Sequence, residues 1–463
     1  MLSSVIKVVT LLSVILLPVS VFSRPVLVNP FQKIINTRVT SEEETKIVAT
    51  TLSVLKNFMA RKNVPGCAMA IVHRNKVIYE GGHGVRSVKT GEPMTPGTVF
   101  QLGSLSKPVS TALIQYLINE GVLSLNDRFA SPEDILPPEA HNVTLRHILT
   151  HSTGIPRFGL NALIESERYN REELFKRLTR ITPKESAGKI YDYNNLVFSL
   201  SALMVEDKTS LSFPKALKKY LFHPLNMHTA SATLEDLLRV PNRAYPHQKD
   251  SKKQYHAVSY RKGYYEAAPG GGINASLRDM EQFLMMQLGH RKDFLTKESL
   301  DLFHTPHMHA KDIFERNPKN VHRFRDSFYG IGWRILDYEG HKIVFHGGWV
   351  KGFINIILFV PEKEMGIVLL QNAETALPWV VGMTFADAVL GLKGHAWDQS
   401  MGKKTSSSAV EKKTHFMMQH PPKAMSVMRK QRKLAKFSRK LVARAKPGKL
   451  QKIQKKTSKT MHT

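Results

Sequence analysis

The stretch from Gly66 to Gly82 constrains the fold most. Cys67-Ala68-Met69-Ala70-Ile71-Val72 is a compact apolar run, Asn75 and Lys76 follow, and Val77-Ile78-Tyr79 leads into Gly81-Gly82. This pattern predicts a β-hairpin turning near Arg74–Lys76. A hairpin is marginal on its own in water and needs further strands. The other β-rich segments come late in the chain, at Phe328–Ile335, Lys342–His346, Gly352–Val360 and Gly366–Gln371, separated by turn residues. The sheet must therefore be assembled from both ends of this region, with the stretch between carried as an insertion.

That insertion reads as helices and loops. Residues 104–120 predict a helix, apolar at Val109, Leu113, Leu117 and Ile118 and stopped by Gly121. From 122 to 320, Pro and Asn breaks separate helical patterns at 145–150, 171–180, 195–206 and 277–288. Ahead of the hairpin, Ser41 and Glu44 fit a capping box, and Ile47, Leu52, Leu55 and Phe58 have helical spacing over 45–61. Trp379–Leu392 predicts a closing helix. The expected fold class is α+β: an antiparallel sheet flanked by helices with an inserted, mostly helical region. The sheet part spans 41–103 and 325–395, and the helical insert spans 104–324.

The two ends of the chain read differently from this body. Residues 1–23 fit a signal peptide, with Lys7, an apolar run from Val8 to Leu17, Pro18, and then Val21-Phe22-Ser23. The run is short for a membrane span and is broken by proline. The expectation is export, to a periplasmic or secreted location, with 24–40 as a linker. Cys67 is the only cysteine, so no disulfide forms within one chain and multi-cysteine zinc sites are excluded. From Lys403 onward nineteen lysines and arginines face a single acid, Glu411; the tail carries +18 of the chain's +29 and leaves +11 elsewhere. Residues 396–463 read as a basic, disordered extension. Met425, Met428, Leu434, Phe437 and Leu441 set among basic residues also fit an amphipathic helix for an anionic membrane or cell-wall surface. Nothing in it specifies a nucleic acid.

Three short motifs bear chemistry. In Gln101-Leu102-Gly103-Ser104-Leu105-Ser106-Lys107, a spacing of three puts Ser104 and Lys107 on one helical face. An amine beside a serine hydroxyl helps activate a poor nucleophile, and a helix N-terminus offers N–H groups to an oxyanion. Ser106 is a second hydroxyl that such a helix points away. In Tyr193-Asn194-Asn195, a tyrosine can relay a proton and an asparagine can hold a substrate amide, although either asparagine also suits a helix N-cap. His346-Gly347-Gly348 ends one expected strand; its glycines allow close backbone approach, and its imidazole can move a proton or orient an anion. Each motif alone has an ordinary structural reading.

Together, in this order and with their flanks, they resemble the serine β-lactamase-related and penicillin-binding-protein superfamily. That superfamily includes class C β-lactamases, D-Ala-D-Ala carboxypeptidases, D-aminopeptidases and esterases derived from them. The likeness extends through Leu113–Asp127, Thr144–Pro156 and Pro269–Asp279 and covers roughly 45–392. It implies a β-lactamase/transpeptidase-like fold and an acyl-enzyme on Ser104. Lys107 would be the base, and Tyr193 would protonate the leaving group and later activate water. Asn195 would bind the substrate amide, and His346, Gly347 and Gly348 would line the substrate. The amides of Ser104 and Trp349 would form the oxyanion hole. The class C pattern has Lys-Thr-Gly where this chain has His346-Gly347-Gly348, which argues against efficient β-lactam hydrolysis and leaves the acyl-enzyme mechanism intact.

No cofactor or metal is expected. His147 and His151 are four apart on an expected helix, but Ile148 stands where a zincin needs glutamate. There is no G-x-S-x-G elbow, nucleotide-binding glycine motif or P-loop. The expected function is an exported serine hydrolase acting on amide or ester bonds, of β-lactam or D-Ala peptide-type (peptidoglycan-like) substrates. The alternatives are a carboxylesterase of the same fold and a non-catalytic envelope-binding protein that uses the basic tail.

Overall fold

The computed structural model describes residues 39–157, 159–311 and 323–397. The expected signal peptide, the linker up to residue 38 and the basic tail from residue 398 onward lie outside the described residues.

The hairpin forms where the sequence places it, as β1 (Gly66–His73) and β2 (Lys76–Gly84), with Arg74 at φ 58° in the turn. The later strands are β3 (Val99–Gln101), β4 (His247–Lys249), β5 (Tyr255–Ala257), β6 (Asn274–Ser276), β7 (Met308–His309), β8 (Phe324–Tyr329), β9 (Arg334–Tyr338), β10 (His341–Val350), β11 (Phe353–Val360) and β12 (Met365–Gln371). Eight of them form one antiparallel sheet in the order β2-β1-β12-β11-β10-β9-β8-β7. The β1–β12 ladder runs from Cys67↔Gln371 to His73↔Met365. It joins the two ends of the region, and the class is α+β as the sequence implies.

Strand alternation assigns two cores, one on each face of the sheet. Ala68, Ala70, Val72, Val368 and Leu370 pack against the inserted helices. Cys67, Met69, Ile71, Ile367 and Leu369 pack with Ile47, Leu55 and Phe58 of helix α1 (Ser41–Lys62) and with the closing helix Leu377–Val389. On the insert side, α2 (Ser106–Asn119) is buried along almost its whole length and anchors the other helices.

Three local expectations need correction. The cap of α1 is Thr40 paired with Glu43, one residue earlier than expected: Thr40 Oγ1 accepts from Glu43 N (3.2 Å) and Glu43 Oε2 accepts from Thr40 N (2.7 Å). Thr40 and Ser41 both precede an acid by three, so the pattern alone does not choose between them. The single strand expected at Phe328–Ile335 is two strands, β8 and β9. A tight turn between them has Gly330 N donating to Trp333 O, and Gly332 sits at φ 76° where a Cβ would meet Thr111 at 2.4 Å. The helix expected from 104 begins with a 3₁₀ turn, Gly103–Leu105, and becomes α-helical only at Ser106.

Candidate active site

Ser104 lies in that 3₁₀ turn, half-buried, directly ahead of α2. Two glycines bring the turn against β10. Gly103 has φ 57°, and a Cβ there would sit 2.9 Å from Trp349 N; a Cβ on Gly348 would sit 2.0 Å from Leu102 O. Backbone therefore packs on backbone, a spacing that only glycine permits. The break expected at His346-Gly347-Gly348 is absent: β10 continues to Val350, and the turn falls at Lys351–Gly352. The ladder to β9 stops at Phe345↔Arg334, while that to β11 runs on to Val350↔Phe353. The strand beyond Phe345 is thereby left to the nucleophile turn. Asn355 of β11 ties the two together: its buried amide donates to Gln101 O (3.0 Å) and Leu102 O (3.1 Å) and accepts from Gln371 N (3.1 Å). Its one signal in the sequence is a lone amide inside an apolar strand.

Lys107 follows one turn later, fully buried. Its Nζ is 3.5 Å from Ser104 Oγ and donates to Asn195 Oδ1 (2.5 Å) and Gly270 O (2.7 Å). It also lies 4.6 Å from the centre of the Tyr193 ring and 5.3 Å from that of Phe198. All of these partners are neutral. Burial first, and then the positive charge of Arg334, hold the amine well below the ordinary lysine range. An unprotonated amine at this position can accept the Ser104 proton. Ser106 points elsewhere, as expected, and its Oγ accepts from Ile273 N (2.9 Å). The segment Pro269-Gly270-Gly271-Gly272 is glycine-rich for a steric reason: a Cβ on Gly270 would meet Asn195 O and Ser199 Oγ at 2.8 Å, and one on Gly271 would meet the Tyr264 ring at 2.5 Å.

Asn194 takes the helix-capping role, with Oδ1 accepting from Leu196 N and Val197 N (3.1 Å each). This leaves Asn195 for the site. Its Oδ1 holds Lys107 and its Nδ2 donates one of its two N–H groups to Asn161 Oδ1 (3.1 Å). Tyr193, half-buried, presents its ring to Lys107.

The His346 side chain points to the insert side of the sheet, the side that carries Lys107, and is 1% exposed, with its ring centre 6.2 Å from that of Tyr193. Nδ1 is 2.8 Å from Gly347 O, which can only accept, so the proton is on Nδ1 and Nε2 accepts from Tyr329 OH (3.2 Å). Burial first, and then the positive charge of Arg334, push the imidazole well below its usual range. Gly347 is exposed and Gly348 is packed on Leu102. The permanent cation comes from the next strand. Arg334, half-buried at the start of β9, lies 5.4 Å from the Tyr193 ring centre and 5.8 Å from that of Tyr329. In the sequence Arg334 lies inside what reads as one continuous strand, Phe328–Ile335, which hides it.

The amides assigned to the oxyanion hole by resemblance, those of Ser104 and Trp349, belong to the two backbones that Gly103 and Gly348 bring together. The Trp349 indole donates to Glu374 Oε2 (2.9 Å), and Glu374 Oε1 also takes Gly352 N and Gln248 Nε2 (2.9 Å each). One carboxylate thus braces the far end of β10. The pair weighed as metal ligands does not share a helix face. His147 caps α3 (Leu145–Leu149), accepting from Thr144 N (3.1 Å), while His151 lies past its end at φ 55°.

A family model described as Beta-lactamase matches residues 53–389. A beta-lactamase of Yersinia enterocolitica is 23% identical over 383 residues, covering 74% of this chain and 90% of that protein. Protein flp of Staphylococcus aureus strain N315 is 23% identical over 349 residues, covering 73% of this chain and 64% of its own length. Among solved structures, the octameric penicillin-binding protein homologue from Pyrococcus abyssi superposes with a TM-score of 0.65 at 25% identity, covering 75% of this chain and 78% of that one. EstCE1, described as a hydrolase with promiscuous acyltransferase activity, gives 0.63 at 18% identity, covering 75% and 100%.

Proposed function

Because the chain belongs to the serine β-lactamase and penicillin-binding-protein superfamily, we propose that it cleaves amide or ester bonds through an acyl-enzyme on Ser104, with D-Ala peptide-type or β-lactam substrates that carry a carboxylate. The observation that carries this reading is the buried Lys107 amine, 3.5 Å from Ser104 Oγ and surrounded by neutral partners.

In this reading Lys107 Nζ takes the Ser104 proton as Oγ attacks the substrate carbonyl. The tetrahedral oxyanion is held by the Ser104 and Trp349 amides, whose value lies in being fixed in advance. Tyr193 hands a proton to the departing amine or alcohol. Water then attacks the ester, loses its proton to the same phenol–amine pair, and releases the acid. Arg334 supplies the charge that a substrate carboxylate needs, a task a neutral His346 does not perform. The loss of a second cation at His346 favours one alternative, a carboxylesterase acting on uncharged esters.

The test is covalent labelling by a fluorescent fluorophosphonate and a fluorescent penicillin. A label that disappears in Ser104→Ala supports the nucleophile; a label that persists there removes it. A D-Ala-D-Ala peptide, a cephalosporin and a nitrophenyl ester then separate the branches. Arg334→Gln is expected to depress turnover of the first two and spare the ester. Export and attachment to an anionic surface rest on residues 1–23 and 403–463. Deleting 403–463 is expected to leave ester turnover intact and to abolish salt-sensitive binding to anionic vesicles; binding that survives the deletion refutes that use of the tail.

A further inference from the structure

His151 takes no part in the chemistry above, yet it is held in costly circumstances. Its backbone is left-handed at φ 55°, an uncommon conformation for a residue other than glycine. Its side chain is 2% exposed. Nδ1 accepts from Asn194 N (3.2 Å), which places the ring proton on Nε2, and that buried nitrogen has no hydrogen-bond partner. A histidine kept for packing alone would be easier to replace with an apolar side chain.

What this arrangement achieves is visible in the next segment. The His151 carbonyl accepts from Asp192 N (2.9 Å) and its ring accepts from Asn194 N. One residue therefore grips the chain on both sides of Tyr193. Its ring centre also lies 4.3 Å from that of Tyr193, 4.8 Å from Tyr329 and 5.2 Å from Phe198. The gripped segment leads directly to Asn194, which caps the following helix, and to Asn195, which holds Lys107. We propose that His151 is the positioning residue for Tyr193, its carbonyl and Nδ1 together fixing residues 192–194 so that the Tyr193 ring is held against Lys107. This proposal rests on the acyl-enzyme reading above, in which Tyr193 moves the proton.

The experiment is a double-mutant cycle on a nitrophenyl ester with His151→Phe and Tyr193→Phe, begun by confirming that fluorophosphonate labels Ser104 in the unaltered chain. His151→Phe keeps an aromatic ring and loses the acceptor. It is expected to lower kcat by about 10²-fold with little change in KM, because a misplaced proton donor loses most of what general acid–base catalysis supplies. In the Tyr193→Phe background the same change is expected to cost less than about threefold, since the group being positioned is gone. His151→Asn tolerates the left-handed backbone, offers Oδ1 to Asn194 N, and is expected to recover most of the rate. If His151→Phe does not fold, His151→Gly relieves the backbone, removes the acceptor and takes its place in the cycle. Equal losses in both backgrounds, or a wild-type rate in the variant lacking the acceptor, overturn the proposal. Failure to label Ser104 at the outset would instead sink the underlying mechanism.

Discussion

Lys107, on the insert side of the sheet, and Asp387, on the closing helix of the other side, are both almost completely buried, and the protein treats them in opposite ways. Asp387 is surrounded by donors: Arg323 Nη1 at 2.9 Å, Tyr338 OH, Trp397 Nε1 at 2.9 Å and His395 N at 3.3 Å. Burial still lifts its carboxyl above the ordinary range, against the pull of those partners. Lys107 has two neutral oxygens and a hydroxyl, and the charge that acts on it is a like charge, Arg334. A buried charge with a counter-ion ties down a chain segment, here the end of the closing helix. A buried amine without one gives up its proton and becomes a base. The difference separates a structural polar cluster from a chemical one more sharply than burial or residue type does.

Replacing each residue tests that separation. Lys107→Met is expected to cost about 10⁴-fold or more in turnover of a nitrophenyl ester, as loss of a member of a catalytic unit does. Its thermal midpoint is expected to stay level or rise, because an amine without a counter-ion gives way to an apolar chain of similar length. A large drop in midpoint would make Lys107 structural and collapse the contrast. Asp387→Ala removes the buried acceptor of Tyr338 OH and Trp397 Nε1, while Arg323 keeps Glu339, and is expected to cost about 1–3 kcal/mol in denaturant unfolding, with kcat per folded molecule unchanged. The contact between nucleophile turn and strand gives the next effect. A Cβ on Gly348 collides with Leu102 O at 2.0 Å, whereas one on Gly347 meets nothing nearer than Asn355 O at 3.8 Å. Gly348→Ala is expected to lower kcat by about 10²–10³-fold, the cost of a displaced oxyanion donor. Gly347→Ala should remain near the wild-type rate. Equal rates for the two would dissociate the glycines from the oxyanion hole.

The same contrast explains what the sequence made legible. The sheet is readable from both ends because its core strands are apolar throughout and bounded by glycine, and Ser104, Lys107 and Tyr193 are legible because their motifs, taken together with their flanks, resemble those of a known superfamily. The groups that hold them did not stand out. Asn355, Arg334 and His151 act across long separations, through a register at Phe345↔Arg334, a strand amide reaching Gln101 O, and a left-handed residue past a helix end. Those relationships exist only after strands pair. The strand end expected at His346 is displaced for a related reason: β10 runs on through both glycines to Val350, and that continuation also depends on its pairing with β11.

The smallest effect is the most specific to the buried amine. An ordinary lysine in the unfolded chain holds its proton up to about pH 10.4, while folded Lys107 gives it up well below that. Between the two values the unfolded state binds more protons, so this group's contribution to stability is present at high pH and is lost as pH falls. Other groups titrate in the same range: burial pushes Lys342 down to about 8, and burial pushes Tyr255 up to about 12. The informative quantity is therefore the difference between Lys107→Met and the unaltered chain, which cancels them. That difference in unfolding free energy is expected to grow in favour of Lys107→Met as pH drops from 9 towards 7. Over the same descent kcat/KM of the unaltered enzyme should begin to fall once pH reaches the depressed value, approaching tenfold per unit below it, because the protonated amine cannot accept the Ser104 proton. An Asp387→Asn control should leave that limb of the rate profile in place, since its carboxyl lies across the sheet from the reaction. A limb that moved with Asp387 would mean the two sides of the sheet share one titration and that the contrast between them is false.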